Sequence, residues 1–181
     1  MKRIVLALTF LLVTSSAASA QFAPSTENLR GLTGVRLITQ LGHYPHRMEE
    51  AQKPEILKLV GADAAAKLER AGIRFYTSPS DPRRAAGYGV LVITVTMNDA
   101  TDLKNIETEV KLLQSVRLSR DPSIEFEAVT WLNGGSVTGP RQFDLNAGTR
   151  EQVAGEMDRF IQDYFSVNPK QSAESTKQKS K

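Results

Sequence analysis

The stretch IETEVKLLQSVRLS, residues 106–119, alternates between two kinds of side chain over its whole length. One set is mostly apolar and consists of Ile106, Thr108, Val110, Leu112, Gln114, Val116 and Leu118. The other is mostly charged or polar and consists of Glu107, Glu109, Lys111, Leu113, Ser115, Arg117 and Ser119. A period of two residues is typical of a strand with one buried and one solvated face. The stretch therefore predicts a long β-strand that bends, or that contains a bulge near Gln114, where a polar residue enters the apolar row.

Four further segments, 35–41, 73–77, 88–97 and 124–132, also have the character of strands. The run at 88–97 is apolar on both faces, which predicts a place in the middle of the sheet. In the last segment, the residues expected to point inward are Ile124, Phe126, Ala128 and Leu132. The turn residues NGGS that follow predict that this strand ends there, in a hairpin or a bulge.

Two segments show the spacing of amphipathic helices. The first runs from Pro54 to Ala71, with Gly72 as its C-terminal stop and Gly61 as a point where it could divide. In the second, a capping box at Thr149 and Gln152 predicts the beginning of the helix. Its apolar stripe, which we expect in the core, consists of Val153, Met157, Phe160, Ile161, Tyr164 and Phe165.

The predicted order of elements is therefore β-α-β-β-β-β-α. One-sided strands and one-sided helices must cover each other, so the sequence predicts an α+β fold, a two-layer sandwich with a largely antiparallel sheet and two helices on one face. The other face would display charges of mixed sign, on Glu107, Glu109, Lys111, Arg117, Glu125 and Glu127.

The two ends of the chain differ in composition from this body. Residues 1–20 combine a basic start, a short apolar run and small residues before position 21, which predicts a cleaved signal peptide and an exported protein, periplasmic or secreted. Residues 21–30 form an N-terminal lead-in, and residues 31–168 a single α+β domain. Residues 169–181 are rich in Lys, Ser and Gln, which predicts a disordered tail. No segment after residue 20 is apolar enough to cross a membrane, and the chain has no cysteine for a disulfide or a lipid anchor.

The basic charge of the chain lies mostly at its ends. The formal net charge of the whole sequence is +3. Removing Lys2 and Arg3 lowers it to +1, and the four lysines and single glutamate after Pro169 contribute +3, so the body is near −2. This distribution does not predict nucleic-acid binding.

Both histidines of the chain lie in GHYPHRMEE, residues 42–50. His43, His46 and Glu49 follow one another at intervals of three residues, a spacing that would direct all three at one metal ion on a helix. Pro45 argues against a regular helix here, so the main interpretation is a polar connection after the first strand, and the alternative is a metal site.

Other motifs of enzymes are missing from the sequence. No serine lies in a nucleophile elbow, and no thiol exists. The glycines of WLNGGSVTGP are not followed by the Lys-Ser or Lys-Thr of a phosphate-binding loop. We therefore expect no enzymatic activity and no cofactor.

Trp131 is the only tryptophan. If the row Glu125, Glu127, Val129 and Trp131 faces outward, then Leu113, Val129 and Trp131 make an apolar patch on a charged surface, which is a candidate partner-binding site. The alternative is that the sheet twists there and the indole is buried.

Several stretches of the chain resemble a family of small exported bacterial proteins of unknown function. These are VGADAAAKLERAGIRF (60–75), YGVLVITVTMN, EVKLLQSVRLSRDPS, AVTW and REQVAGEMDRFIQDYFSVNP. The order of elements is more distantly similar to envelope-assembly components such as lipopolysaccharide-assembly lipoproteins, although this chain lacks their lipidated cysteine. The leading hypothesis is a non-enzymatic periplasmic protein that binds an envelope protein partner or a ligand through its sheet face or a strand edge. The alternative is a metal-binding protein that uses His43, His46 and Glu49, and the oligomeric state stays open.

Overall fold

A computed structural model describes residues 25–43, 52–78, 87–99, 103–140 and 142–169. A short 3-10 helix, Thr26–Leu29, precedes the main elements. These follow in the predicted order: β1 (Gly34–Leu41), α1 (Gln52–Ala71), β2 (Phe75–Tyr76), β3 (Tyr88–Asp99), β4 (Leu103–Leu118), β5 (Asp121–Pro140) and α2 (Leu145–Val167). The predicted signal peptide and most of the predicted tail lie outside the described residues.

The strands form one five-stranded sheet in the order β2-β1-β3-β4-β5. β3, β4 and β5 are antiparallel neighbours, and their long pairings make up most of the sheet. β1 is parallel to both β2 and β3. A parallel pair requires a crossover connection, which α1 supplies between β1 and β2. The α+β class and the predominance of antiparallel pairing are confirmed.

Both helices pack against the same side of the sheet. α1 contacts β1, α2 contacts β4 and β5, and the two helices contact each other. The predicted apolar stripe of α2 is buried or half-buried, and the buried residues form one core with alternate residues of the strands. α1 is continuous through Gly61 and ends before Gly72, whose φ of +77° is favourable only for glycine.

The beginning of α2 differs from the prediction. The helix begins at Leu145, and the Asp144 carboxylate caps it by accepting hydrogen bonds from the backbone N–H groups of Asn146 and Ala147. Thr149, predicted as the cap, is buried one turn inside the helix, where its hydroxyl donates to the Leu145 carbonyl at 2.6 Å. The predicted capping box is therefore wrong, because an aspartate one turn earlier fills the same role.

β5 is longer than predicted. It does not turn at NGGS but continues to Pro140, paired with the first half of β4. The two glycines serve close packing: a Cβ on Gly134 would lie 2.8 Å from the Thr108 carbonyl oxygen, and a Cβ on Gly135 would overlap the Gln152 side chain of α2. The prediction of a turn was wrong because glycine permits close approach as well as tight turns.

A β-bulge changes which way β5 faces. The register shifts between Leu112, which pairs with Trp131, and Leu113, which pairs with Val129. The irregularity predicted near Gln114 of β4 is found within two residues of that position, but the extra residue, Thr130, belongs to β5. One extra residue in a strand moves the following side chains to the other face, so Trp131 points to the helices while Val129 points away.

Beyond the bulge, β4 and β5 continue as a projecting hairpin, residues 114–128, which we call the arm. All residues from Ser119 to Glu127 are exposed. Ile124 and Phe126, predicted to point into the core, are 46% and 45% exposed. They lie on the helix side of the sheet, as predicted, but among the described residues no helix extends far enough to cover them. Within the described ranges, no helix has the length and hydropathy needed to cross a membrane.

Candidate functional site

Neither α1 nor α2 packs on the side of the sheet that faces away from them. We call this side the open face. Its rows run across the strands and are given by the residue pairing: Arg36, Val90, Leu113 and Val129 form one row; Ile38, Val92, Lys111 and Leu132 the next; Gln40, Thr94, Glu109 and Gly134 the third; Thr96, Glu107 and Ser136 the fourth.

The first two of these rows make the open face apolar at one end. This apolar half consists of Ile38, Val90, Val92, Leu113, Val129 and Leu132. None of these residues belongs to the core cluster beneath the helices. Their exposure differs with position: Val92, at the centre, is only 5% exposed, whereas Val129, at the edge, is 36% exposed. The result is a mainly apolar surface, on which two charged residues of the same rows, Arg36 and Lys111, also lie.

The other half of the open face is polar and slightly concave. A depression of about 490 Å³ lies over β3, β4 and β5, lined mainly by Thr94, Thr96, Glu107, Glu109, Leu132, Gly134 and Ser136. The acids in it already have partners within the fold. Lys111 pairs with Glu109 at 2.9 Å, and the Asn105 amide donates to Glu107 at 3.0 Å. With these carboxylates partnered, the polar half is suited to form the hydrated rim of an interface.

The structure separates the three residues of the predicted patch. Leu113 and Val129 lie opposite each other on the open face. Trp131 is on the other side of the sheet and is 0% exposed, so its predicted place in the patch is wrong, and the alternative that the indole is buried is confirmed. Its indole N–H donates to Asp163 at 3.0 Å, and its ring meets the edge of Phe160 at 5.2 Å between centroids. The side chain is held in the core because the bulge reverses its direction and a carboxylate of α2 satisfies its single donor.

Sequence reasoning missed the rest of the apolar half. Ile38 and Val90 were not singled out, although a signal existed, since 88–97 was recognised as apolar on both faces. A strand that is apolar on both faces is typical of a sheet that is covered on both sides. Here α1 and α2 cover only one side of the sheet that contains this strand. The neighbouring position on β1 could have been found by the same argument. Leu132 was predicted to point inward, and this prediction is wrong, because the bulge in β5 turns its side chain to the open face, where it lies opposite Lys111.

Of the predicted metal ligands, only His43 is among the described residues. It follows β1 with its side chain exposed, and its backbone carbonyl accepts a hydrogen bond from the Met97 N–H at 2.8 Å. His46 and Glu49 lie outside the described residues, so the metal site stays a prediction. Within the part of the chain that the structure describes, no three histidine or acidic side chains are grouped as metal ligands would be.

A second polar group lies on the helix side, at the interface between α2 and β5. Glu156 is 6% exposed and accepts hydrogen bonds from the side-chain amides of Asn133 and Gln152. Burial raises the pKa of the Glu156 carboxyl above its usual value of 4.5, although both amides and the charge of Arg159 act in the opposite direction. A carboxyl group buried at this depth is uncommon and costly to ionise.

Comparison with known proteins shows only a distant likeness in fold. No protein-family model matches the chain, and no curated protein matches it. Similar solved structures include two of the PelC dodecamer from Paraburkholderia phytofirmans, in different space groups. Their sequence identities to this chain are 17% and 16%, and the TM-scores are 0.42 and 0.41. Each match covers 70% of this chain and 86% of the PelC chain. A neuraminyllactose-binding hemagglutinin homolog from Helicobacter pylori is 10% identical with a TM-score of 0.37, covering 74% of this chain and 84% of its own. These scores are too low to carry an argument about function or assembly.

Proposed function

We propose that this chain is a non-enzymatic exported protein that binds an envelope protein partner through the apolar half of its open face. The observation that carries the proposal is the position of Leu113 and Val129, which lie side by side on the face away from the helices, next to Ile38, Val90 and Leu132. A mainly apolar surface bordered by polar residues is typical of protein interaction sites. Export and the lack of catalysis are inferred from the N-terminal sequence and from the missing enzyme motifs.

The shape of the surface favours a protein partner over a small ligand. Small ligands are usually enclosed in concave, mostly apolar pockets. Here the apolar half is spread over several strands, and the depression next to it is lined by hydroxyls and carboxylates. A partner with a flat apolar surface would cover the apolar half and leave the depression as its hydrated rim.

The open face is favoured over the free edge of β5 as the surface that binds the partner. Strand addition requires a regular edge, and that edge is interrupted at the bulge. There the side-chain amide of Asn28 donates to the Thr130 carbonyl at 2.8 Å, so a residue of the 3-10 helix occupies a backbone acceptor.

Affinity capture from an envelope extract tests the proposal. The unaltered protein should recover the same partner repeatedly, and Leu113→Glu and Val129→Glu should each lower its recovery at least about tenfold, since a charge would have to be desolvated at the interface. Thr138→Glu, on the polar half of the same face, is the matched control and should retain capture. Circular dichroism should show that all variants fold. Capture that survives both apolar substitutions, or an unaltered protein that recovers nothing, would contradict the proposal.

A further inference from the structure

The buried carboxyl group of Glu156 lies where α2 packs against β5. Gly135 of β5 creates the space, since a Cβ at this position would lie 2.9 Å from Glu156 Oε1 and would overlap the Gln152 amide. Asn133 donates to Oε2 and Gln152 to Oε1, the latter at 3.4 Å. One carboxyl group therefore joins α2 to β5 through a glycine-lined gap.

The groups around Glu156 supply little charge to hold it ionised. Asn133 of β5 and Gln152 of α2 donate hydrogen bonds to this carboxyl from neutral amide groups. Arg159, one turn further along α2, is exposed, and its charge offsets only part of the effect of burial on the pKa of Glu156. The charged groups of α1 that face α2 are engaged elsewhere, because Asp63 pairs with Arg150 and Lys67 with Asp158. From β4, Thr108 lies opposite Gly135.

Thr108 adds an independent observation. It is 3% exposed, and its hydroxyl has no hydrogen-bond partner among the described residues. A buried hydroxyl without a partner is costly. A neutral carboxylic acid has a proton to donate, whereas a carboxylate can only accept. The helix side of the sheet therefore contains an unused hydroxyl oxygen on the residue that pairs with Gly135, the glycine over which Glu156 lies.

We propose that Glu156, Asn133 and Gln152 form a pH-dependent latch, which holds α2 on β4 and β5 while the carboxyl is neutral and loosens the helix when it ionises. The sign follows from linkage. A carboxyl whose pKa is raised in the folded state contributes stability at low pH, and this contribution is lost as the pH rises through the folded-state value. The ionised group would have to stay in the gap at a desolvation cost or move out with its helix.

Hydrogen exchange of α2 as a function of pH tests the latch. Protection factors of the amides at 153–160 should fall as the pH rises from 4.5, the ordinary glutamate value, to neutral pH. The fall should be about tenfold for each unit by which the pKa of Glu156 is raised. Amides of β3 should change less, since they lie away from the latch. Emission of Trp131, which contacts Phe160 of α2, should report the same transition.

Two variants decide the result. Glu156→Gln is neutral and of equal size, so α2 should stay protected across the whole pH range. Glu151→Gln, an exposed position on the same helix, is the matched control and should behave like the unaltered protein. Protection that does not change with pH in the unaltered protein, a fall that persists in E156Q, or an E156Q chain that is less protected or does not fold would overturn the proposal.

Discussion

At the residue scale, two glycines, Gly135 and Gly155, differ in whether the folded protein has room for a side chain at their position. Gly135 lies where α2 meets β5 and has no room for a Cβ, whereas at Gly155, on the exposed side of α2, a Cβ would meet nothing within 4 Å. The sequence contained no signal to distinguish them. The difference arises only when another element packs against one of the two.

This contrast predicts opposite effects of the same substitution. Gly135→Ala should lower the free energy of unfolding by about 1–3 kcal/mol, because Gln152 and Glu156 would have to move. Gly155→Ala should raise it by about 0.5–1 kcal/mol, because alanine restricts the unfolded chain and favours the helix. Urea unfolding of both variants measures the two changes. A Gly135→Ala protein as stable as the parent would show that α2 does not lie as close to β5 as described.

The alternative prediction of a metal site also depends on single residues, namely His43, His46 and Glu49. A partner-binding protein without a metal site should contain no stoichiometric metal after purification, because His43 alone is a weak ligand. Elemental analysis of the unaltered protein, His43→Ala and His46→Ala measures this. A metal present in equal amount with the protein, and lost in both variants, would support the alternative function instead.

At the element scale, two ion pairs join the helices. Arg150 of α2 donates to both carboxylate oxygens of Asp63 on α1, at 2.6 and 3.1 Å, and Lys67 of α1 pairs with Asp158 of α2. The hydrogen bond from Arg150 is the main reason that the pKa of Asp63 is lowered from its usual value. In each pair one side chain is exposed and the other half-buried, so the pairs are expected to contribute little to the free energy of unfolding.

The Asp63 pair predicts a pH effect opposite to that of Glu156. An acid whose pKa is lowered in the folded state contributes stability above its ordinary pKa of 3.8 and loses it as the pH falls through the lower folded value. Asp63→Asn should therefore lower the urea midpoint at neutral pH, by less than Gly135→Ala does, and the difference from the parent should vanish in strong acid and shrink in high salt. A difference that grows toward acid would contradict this assignment.

The arm predicts another contrast between elements. Ile124 and Phe126 are about half exposed, whereas Leu112, on the same side of the sheet, is fully buried. Ile124→Ser and Phe126→Ser should change the free energy of unfolding by no more than about 0.5 kcal/mol, while Leu112→Ala should cost about 2–5 kcal/mol. Chemical unfolding measures all three. Losses of several kcal/mol at the arm positions would show that the arm is covered in the folded protein.

At the scale of the whole molecule, periodicity was sufficient to predict the order of elements and the two-layer fold. The period of two at 106–119 and the helical stripe that ends at Phe165 reflect which side of each element is buried, and that is a property of the sequence. The parallel position of β1 was not predicted, since strand order depends on the crossover through α1 rather than on any local pattern.

The candidate site was only partly predictable for the same reason. Leu113 and Val129 follow from alternation, but the side on which Trp131 lies depends on one extra residue in β5, whose position a pattern cannot locate. Likewise, Ile124 and Phe126 alternate as core residues do. Their exposure results from the arm extending beyond the helices, which depends on the lengths of elements that are far apart in sequence.

The central claim is that the sheet is covered by helices on one side and presents an apolar half on the other. The chain has no cysteine, so single-cysteine variants can be labelled without background. Leu112→Cys and Leu113→Cys are adjacent in sequence but face opposite sides, and Val129→Cys lies beside the second.

Thiol labelling of the folded variants under native conditions is the most direct measurement. The account predicts that the thiols at positions 113 and 129 react readily while the thiol at 112 is protected until the protein unfolds. It also predicts that the captured partner slows labelling at 113 and 129. Protection of all three positions in the isolated protein, or rapid reaction at 112, would contradict the account.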